Sequence, residues 1–468
     1  MLFSSLVFLW IFLPVVFLGC RLLPLRGQNA LLLAASLLFY GWGEPVYLFL
    51  MLASITLNWA GGLLIDRAAG GGRRAALAVV VTANLLLLGY FKYYGFVAGT
   101  VDALFRSEVL PLREIALPIG ISFYTFQAMS YVIDLYRGHY PVQKSWFRLA
   151  LYISFFPQLI AGPIVQYGQI EQQLGSRTMY AQQTAYGIKR FCWGLGKKVI
   201  LANAFAAKAD EIYGLAPAEA STALAWLGAV YYTLQIYYDF SGYSDMAIGL
   251  GEMFGFHFLE NFNYPYLSAT VTEFWRRWHI SLSSWFRDYL YIPLGGNRRG
   301  QARTLRNLFI VFLVTGLWHG ASWQFVAWGL WHGAFLIVER LFLRKKLESW
   351  PKAIGHGYTM LVVVLGWVIF RAPGLRAGLG WLKAMVLPTA GSGAYPALRY
   401  VDGRTLILLA AGILLCGIAQ RLWPRLKQAL YTRSAPGPLQ GAALLVCLFG
   451  CTMLLVSSTY NPFIYFRF

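Results

Sequence analysis

The chain has 468 residues, 58% of them hydrophobic and only 12% charged, with a mean hydropathy of +0.55; soluble chains carry about 25% charged residues, so water is excluded as its main solvent. The formal charge is +20, but the basic residues stand in short clusters between apolar runs, the pattern of the positive-inside rule and not of nucleic-acid binding. The five cysteines (Cys20, Cys192, Cys416, Cys447, Cys451) lie in apolar runs with no C-x-x-C spacing, which points away from a disulfide framework or a zinc site.

A bilayer span needs about 20 mostly apolar residues. The first run, residues 5–20, lacks a basic leading region and is followed at once by further apolar stretches, so it reads as an uncleaved helix and not a signal peptide. Uncharged runs then follow at residues 30–43, 45–65, 75–91, 116–133, 222–238, 307–338, 353–370, 405–420 and 438–460. Roughly ten to twelve spans are expected on that length criterion. Placing Arg21/Arg26, Asp66/Arg67/Arg73/Arg74, Arg298/Arg299/Arg303/Arg306, Arg340/Arg344/Lys345/Lys346 and Arg421/Arg425/Lys427 in the cytoplasm leaves both termini outside. No period of 20 to 50 residues repeats and no long polar linker divides the chain, so residues 1–468 read as one all-α, polytopic membrane domain.

Three stretches depart from simple hydropathy. In Phe155-Phe156-Pro157-Gln158-Leu159-Ile160-Ala161-Gly162-Pro163 two prolines and a glycine interrupt an apolar run, which predicts a re-entrant or cavity-lining segment. Residues 181–208 carry Lys189, Arg190, Lys197 and Lys198, too many cations for a lipid-facing span, and predict an amphipathic helix at the cytoplasmic interface. In residues 264–297 a capping box, Thr270-x-x-Glu273, opens a helix that places Trp275, Trp278, His279, Leu282 and Phe286 on one face, ended by Pro293, Gly295 and Gly296.

Ionisable side chains inside a membrane are costly and mark function. Of six histidines, His319 sits deepest in an uncharged run, in Gly316-Leu317-Trp318-His319-Gly320, and His332 lies near the far end of the same run. A helix entering near Asn307 lifts His319 by about 18 Å, past the middle of a core about 30 Å thick. Gly316 and Gly320 read as leaving room for a substrate, and a neutral imidazole is the usual general base near pH 7. Packed, hydrogen-bonded histidine is the competing reading. Asp239 and Asp245, six residues apart around Gly242, form a further candidate, with interhelical polar contact as the equal alternative. No H-E-x-x-H or G-x-S-x-G motif is present, and a transporter reading lacks inverted-repeat symmetry.

Taken in order, residues 116–126 (Ala-Leu-Pro-Ile-Gly-Ile-Ser-Phe-Tyr-Thr-Phe), Gln158-Leu159-Ile160-Ala161-Gly162-Pro163, residues 239–250, Glu273-Phe274-Trp275-Arg276-Arg277-Trp278-His279, Gly316-Leu317-Trp318-His319-Gly320 and the ending Asn461-Pro462-Phe463-Ile464-Tyr465-Phe466 resemble the membrane-bound O-acyltransferase family. Within it they are similar to the branch that acetylates secreted polysaccharides such as alginate. The resemblance implies a helical barrel in the bacterial inner membrane, with a funnel from each side meeting at a histidine. It makes His319 the catalytic residue and His279 its companion, with acetyl-CoA as donor substrate and neither a permanently bound cofactor nor a metal. It also implies an extracytoplasmic, esterase-like (SGNH-type) acetyl relay and a polysaccharide synthesis and secretion complex as partners, beside membrane lipid. Arg298, Arg299, Arg303 and Arg306 suit the phosphates of CoA, and topogenic charge explains them equally well. The polar segment 422–437 is short for the alginate branch, which leaves alginate, cellulose and peptidoglycan open as acceptors, with a transporter or flippase as the alternative of another class.

Overall fold

A computed structural model describes residues 1–464, and these contain helices and connections but no strand. Tyr465 and Phe466 of the ending noted above lie outside the described residues. Among the described residues six helices are long and apolar enough to cross a membrane: Tyr47–Arg67, Gly70–Phe105, Trp323–Ser349, Lys352–Arg371, Gly403–Leu422 and Pro438–Ser457. The larger expected number counted shorter elements, such as Ile121–Tyr136, and charged ones, such as Gln301–His319.

Two compact units share the chain. The first comprises Met1–Cys192, Tyr243–Leu259 and Arg433–Leu444; the second comprises Trp193–Gly242, Glu260–Thr432 and Leu445–Phe468.

In the first unit, small and amide side chains let helices approach closely. Asn58 and Asn84 bond each other across helices Tyr47–Arg67 and Gly70–Leu88 at 2.9 and 3.0 Å, satisfying two buried amides at once. The proline-broken stretch forms only one short turn, Phe156–Leu159, fully buried, with the Phe156 amide donating to Ser36 Oγ at 3.1 Å. Its freed backbone is thus satisfied by protein, as the membrane interior demands.

Residues 181–208 correct the expectation of a surface-lying helix. Lys189, Arg190, Lys197 and Lys198 are at most 5% exposed. In the first unit Arg190 pairs with Asp245 at 2.6 Å. In the second, Lys198 pairs with Asp239 at 2.7 Å and also donates to the Pro462 carbonyl, while Asp239 accepts from the Ile464 amide at 2.8 Å. The physical reason is partnership: Arg190 and Lys198 each meet a carboxylate far away in sequence, which offsets the desolvation an unpaired charge would suffer, while Lys189 donates to the Ser434 carbonyl and Lys197 to the Tyr431 hydroxyl. The same contacts give Asp239 and Asp245 the structural role that stood as one of their two readings.

The second unit is built on a helical hairpin. The run 307–338 is not one rod: helix Gln301–His319 ends at His319, Gly320 and Ala321 turn the chain, and helix Trp323–Val338 returns. A Cβ on Gly316 would strike the Phe325 carbonyl and one on Gly329 the Phe312 carbonyl, so these glycines set the helix separation. Gly320 likewise faces the Phe325 ring. Gly316 and Gly320 are therefore packing residues, which corrects the reading that they make room for a substrate. Helix Lys352–Arg371 runs antiparallel to the returning arm: Phe370 meets Phe325, Trp331 Nε1 donates to the Val362 carbonyl, and Phe335 meets Tyr358.

Candidate active site

The site lies within the second unit and starts from a broken helix. Thr270 Oγ1 accepts from the Glu273 amide at 2.9 Å, and Glu273 reaches back to the Ala269 amide at 2.9 Å, so the expected cap forms. A second cap was not legible: Glu339, buried on a distant element, accepts from the Val271 amide (2.6 Å), the Thr272 amide (2.9 Å) and Thr272 Oγ1 (2.6 Å). A carboxylate there also complements the positive end of the helix dipole.

The helix does not continue through His279 as the one-face pattern predicts. It stops at Arg277, His279 adopts a left-handed backbone (φ 44°, ψ 55°), and a new helix runs from Ile280 to Phe286. That conformation is costly for a residue with a Cβ and persists only where the surroundings hold it. Asn261 is the holder. Its backbone carbonyl accepts from the Ile280 amide at 2.9 Å, and its side-chain oxygen accepts from the Ser281 amide (3.1 Å) and Ser281 Oγ (2.9 Å). The same oxygen stands 3.2 Å from His279 Nδ1. Because an amide oxygen only accepts, the bond assigns the proton to Nδ1 and leaves Nε2 as the basic nitrogen. Nε2 is buried and has no protein partner among the described residues. Burial pushes the His279 imidazole down to about 3, so the ring is neutral at physiological pH.

His319 closes the other side. Its ring meets Trp318 (5.0 Å), Trp328 (4.9 Å) and Phe370 (5.3 Å) nearly edge to face. His279 meets Phe240 at 4.5 Å and Trp318 at 6.1 Å. The two imidazoles thus flank one indole, that of Trp318. Its helix begins at Gln301 and not near Asn307, so His319 stands about 27 Å along it. His332 lies in a cage of Phe274, Trp275 and Trp328, with Gly366 against its edge and no hydrogen-bond partner among the described residues, as a core residue; through Trp328 it neighbours His319.

Two cavities open at opposite ends of helix Lys352–Arg371. One, of about 960 Å³, is lined by Arg277, Lys352, His356, Arg421 and Lys427 beside Glu273 and Tyr264. The other, of about 250 Å³, is lined by Gln235, Gln324, Phe325, Phe370 and Arg371, and so reaches Phe370, whose ring touches His319. Arg298, Arg299, Arg303 and Arg306 do not line the larger cavity; all four are exposed around the start of Gln301–His319, where Arg306 bonds Asn307 Oδ1 at 3.0 Å. Among the described residues no group of three His, Cys, Asp or Glu side chains could hold a metal.

The family model for the membrane-bound O-acyltransferase family matches residues 139–379, which contain both histidines and the whole hairpin.

The chain belongs to the membrane-bound O-acyltransferase family.

This O-acyltransferase is similar to the probable alginate O-acetylase AlgI of Pseudomonas putida, with 41% identity covering 100% of both chains. Its identity to the probable alginate O-acetylase AlgI of Pseudomonas aeruginosa is 47%, over 82% of this chain and 75% of the relative. It is also 38% identical to a peptidoglycan O-acetyltransferase of Helicobacter pylori, over 82% of this chain and 80% of the relative. The protein is a multi-pass membrane acyltransferase.

Proposed function

We propose that the protein is an O-acetyltransferase of the bacterial inner membrane that takes acetyl groups from acetyl-CoA and delivers them across the membrane for O-acetylation of a secreted polysaccharide, alginate or a cellulose-type polymer. The observation that carries this reading is the placement of His279 and His319 around Trp318, with a cation-lined cavity at one end of helix Lys352–Arg371 and a smaller polar cavity at the other. The names of the relatives favour acetyl as the group and alginate as the polymer. The Helicobacter relative keeps peptidoglycan as the second reading of the acceptor.

In this mechanism the phosphates of CoA rest in the larger cavity on Lys352, Arg421, Lys427 and Arg277. Arg298, Arg299, Arg303 and Arg306 lie at the start of the antiparallel series and so at the same end, where they attract the anionic donor to its entrance. The acceptor hydroxyl enters from the smaller cavity. His319 removes its proton as the oxygen attacks the thioester carbonyl; the carbon–sulfur bond breaks, and the thiolate recovers the proton from the imidazolium. A positioned base of this kind contributes about 10²–10⁴-fold. His279 Nε2, neutral and without a hydrogen-bond partner among the described residues, orients the donor or His319. The hydroxyl belongs to an SGNH-type periplasmic relay working with the polysaccharide export complex, so that acetyl crosses while CoA does not. The test supplies labelled acetyl-CoA to the purified protein with its relay: label on the relay's hydroxyl is expected, and label absent from relay and polymer alike overturns the reading.

A further inference from the structure

The second unit holds a further cavity that neither histidine lines. It measures about 420 Å³ and lies where helices Gly403–Ile413 and Pro438–Ser457 come beside Asn203–Tyr213. Gly403–Leu422 and Pro438–Ser457 are both membrane-crossing candidates. The lining is graded along their axes. Arg404 is the second residue of its helix, and Ser457, the last residue of its own, lines the same end. Leu408, Leu454 and Leu455 lie about one turn further in, some 5 Å deeper. A cationic rim therefore stands over an apolar floor at the level where two spans end.

The charges at the rim do not cancel. Lys208 has only a loose contact with Glu211 (3.9 Å, three residues away), and Arg404 forms no ion pair among the described residues. Asp402 is committed to its own helix: its carboxylate accepts from the Thr405 amide at 2.7 Å and Thr405 Oγ1 at 2.8 Å. Those bonds, and the nearby charges of Lys208 and Arg404, hold it below the usual carboxylate range, so it stays ionised and the lining side chains Lys208, Arg404 and Asp402 together carry one net positive charge. One negative charge on a polar head, with a hydrocarbon tail beneath it, is the complement of this shape.

We propose that this cavity binds one anionic phospholipid of the phosphatidylglycerol type, its phosphate between Lys208 and Arg404 and an acyl chain along Leu408, Leu454 and Leu455. The position has a functional neighbour. Tyr460 also lines the cavity, and its hydroxyl donates to Asp210 at 2.6 Å; Asp210 in turn holds Arg371 at 2.6 Å, which lines the small cavity beside Phe370. A lipid seated here touches the residue that braces that pair.

Native mass spectrometry of the full-length protein, delipidated and then titrated with dioleoyl-phosphatidylglycerol, tests the site. One lipid retained under activation that strips the rest is expected. K208Q/R404Q should bind it roughly thirtyfold more weakly, about fivefold for each cation removed. L454W, which fills the floor and leaves the charge untouched, should also lose the retained lipid while melting at the wild-type temperature. Retention unchanged in both variants overturns the proposal. Phosphatidylcholine held as tightly as phosphatidylglycerol overturns the choice of an anionic head, and loss in K208Q/R404Q alone reduces the site to surface charge attraction.

Discussion

Replacing Asn261 with alanine tests the geometry around His279. The Asn261 side chain is the shared acceptor for the Ser281 amide, Ser281 Oγ and His279 Nδ1, and it is fully buried. Ser281 Oγ, 3.5 Å from His279 Nδ1, is the alternative acceptor for the imidazole N–H, which leaves the amide stranded, so Asn261→Ala should cost about 1–3 kcal/mol of stability. The left-handed backbone at His279 loses its restraint as well, so acetyl transfer should fall by more than the folded fraction does. Asn261→Asp keeps all three acceptor contacts and places a negative charge beside the imidazole. That charge favours the imidazolium and raises its pKa, so the acid limb of the pH–rate profile should move to higher pH. The assays are thermal unfolding in detergent and acetyl transfer as a function of pH. An Asn261→Ala protein with wild-type melting temperature and wild-type rate would refute the argument, as would an Asn261→Asp profile that does not move.

Gly316→Ala pushes a methyl group into the Phe325 backbone carbonyl; overpacking of about 1–3 kcal/mol is expected, visible as a lower melting temperature, and an unchanged one would mean that the hairpin arms are not so close. Replacing Lys352, Arg421 and Lys427 with glutamine should raise the KM for acetyl-CoA at nearly constant kcat, and by more than glutamine at Arg298, Arg299, Arg303 and Arg306 does; the reverse order would move the donor site to the exposed cluster. His279→Ala and His319→Ala should be strongly non-additive, the double variant little worse than the worse single one, because both rings flank Trp318. Losses that multiply would show independent roles.

Much of the class was legible because membrane solvent leaves a coarse imprint on composition, and His319 stood out because imidazole is rare within an uncharged run. The Thr270–Glu273 cap was legible too, since it is local and reciprocal. What escaped depends on partners distant in the chain. Nothing near His279 announces a break, because its cause, Asn261, lies eighteen residues earlier and competes for the backbone through its own carbonyl and side chain. The four cations of residues 181–208 look like a surface face until Asp239 and Asp245 are found against two of them. Gly316 could mean space or close approach, and only the facing helix decides. Glu339, placed by its neighbours in a basic juxtamembrane stretch, caps a helix nearly seventy residues away.

The measurement that bears most directly on the central claim uses sealed proteoliposomes with labelled acetyl-CoA on the face carrying Lys352 and Arg421 and the relay protein on the other. Wild-type protein should transfer label to the relay while CoA stays on its own side, and His319→Ala, inserted and folded at wild-type levels, should transfer none. Label crossing at the wild-type rate in His319→Ala would contradict the assignment of His319 as the base.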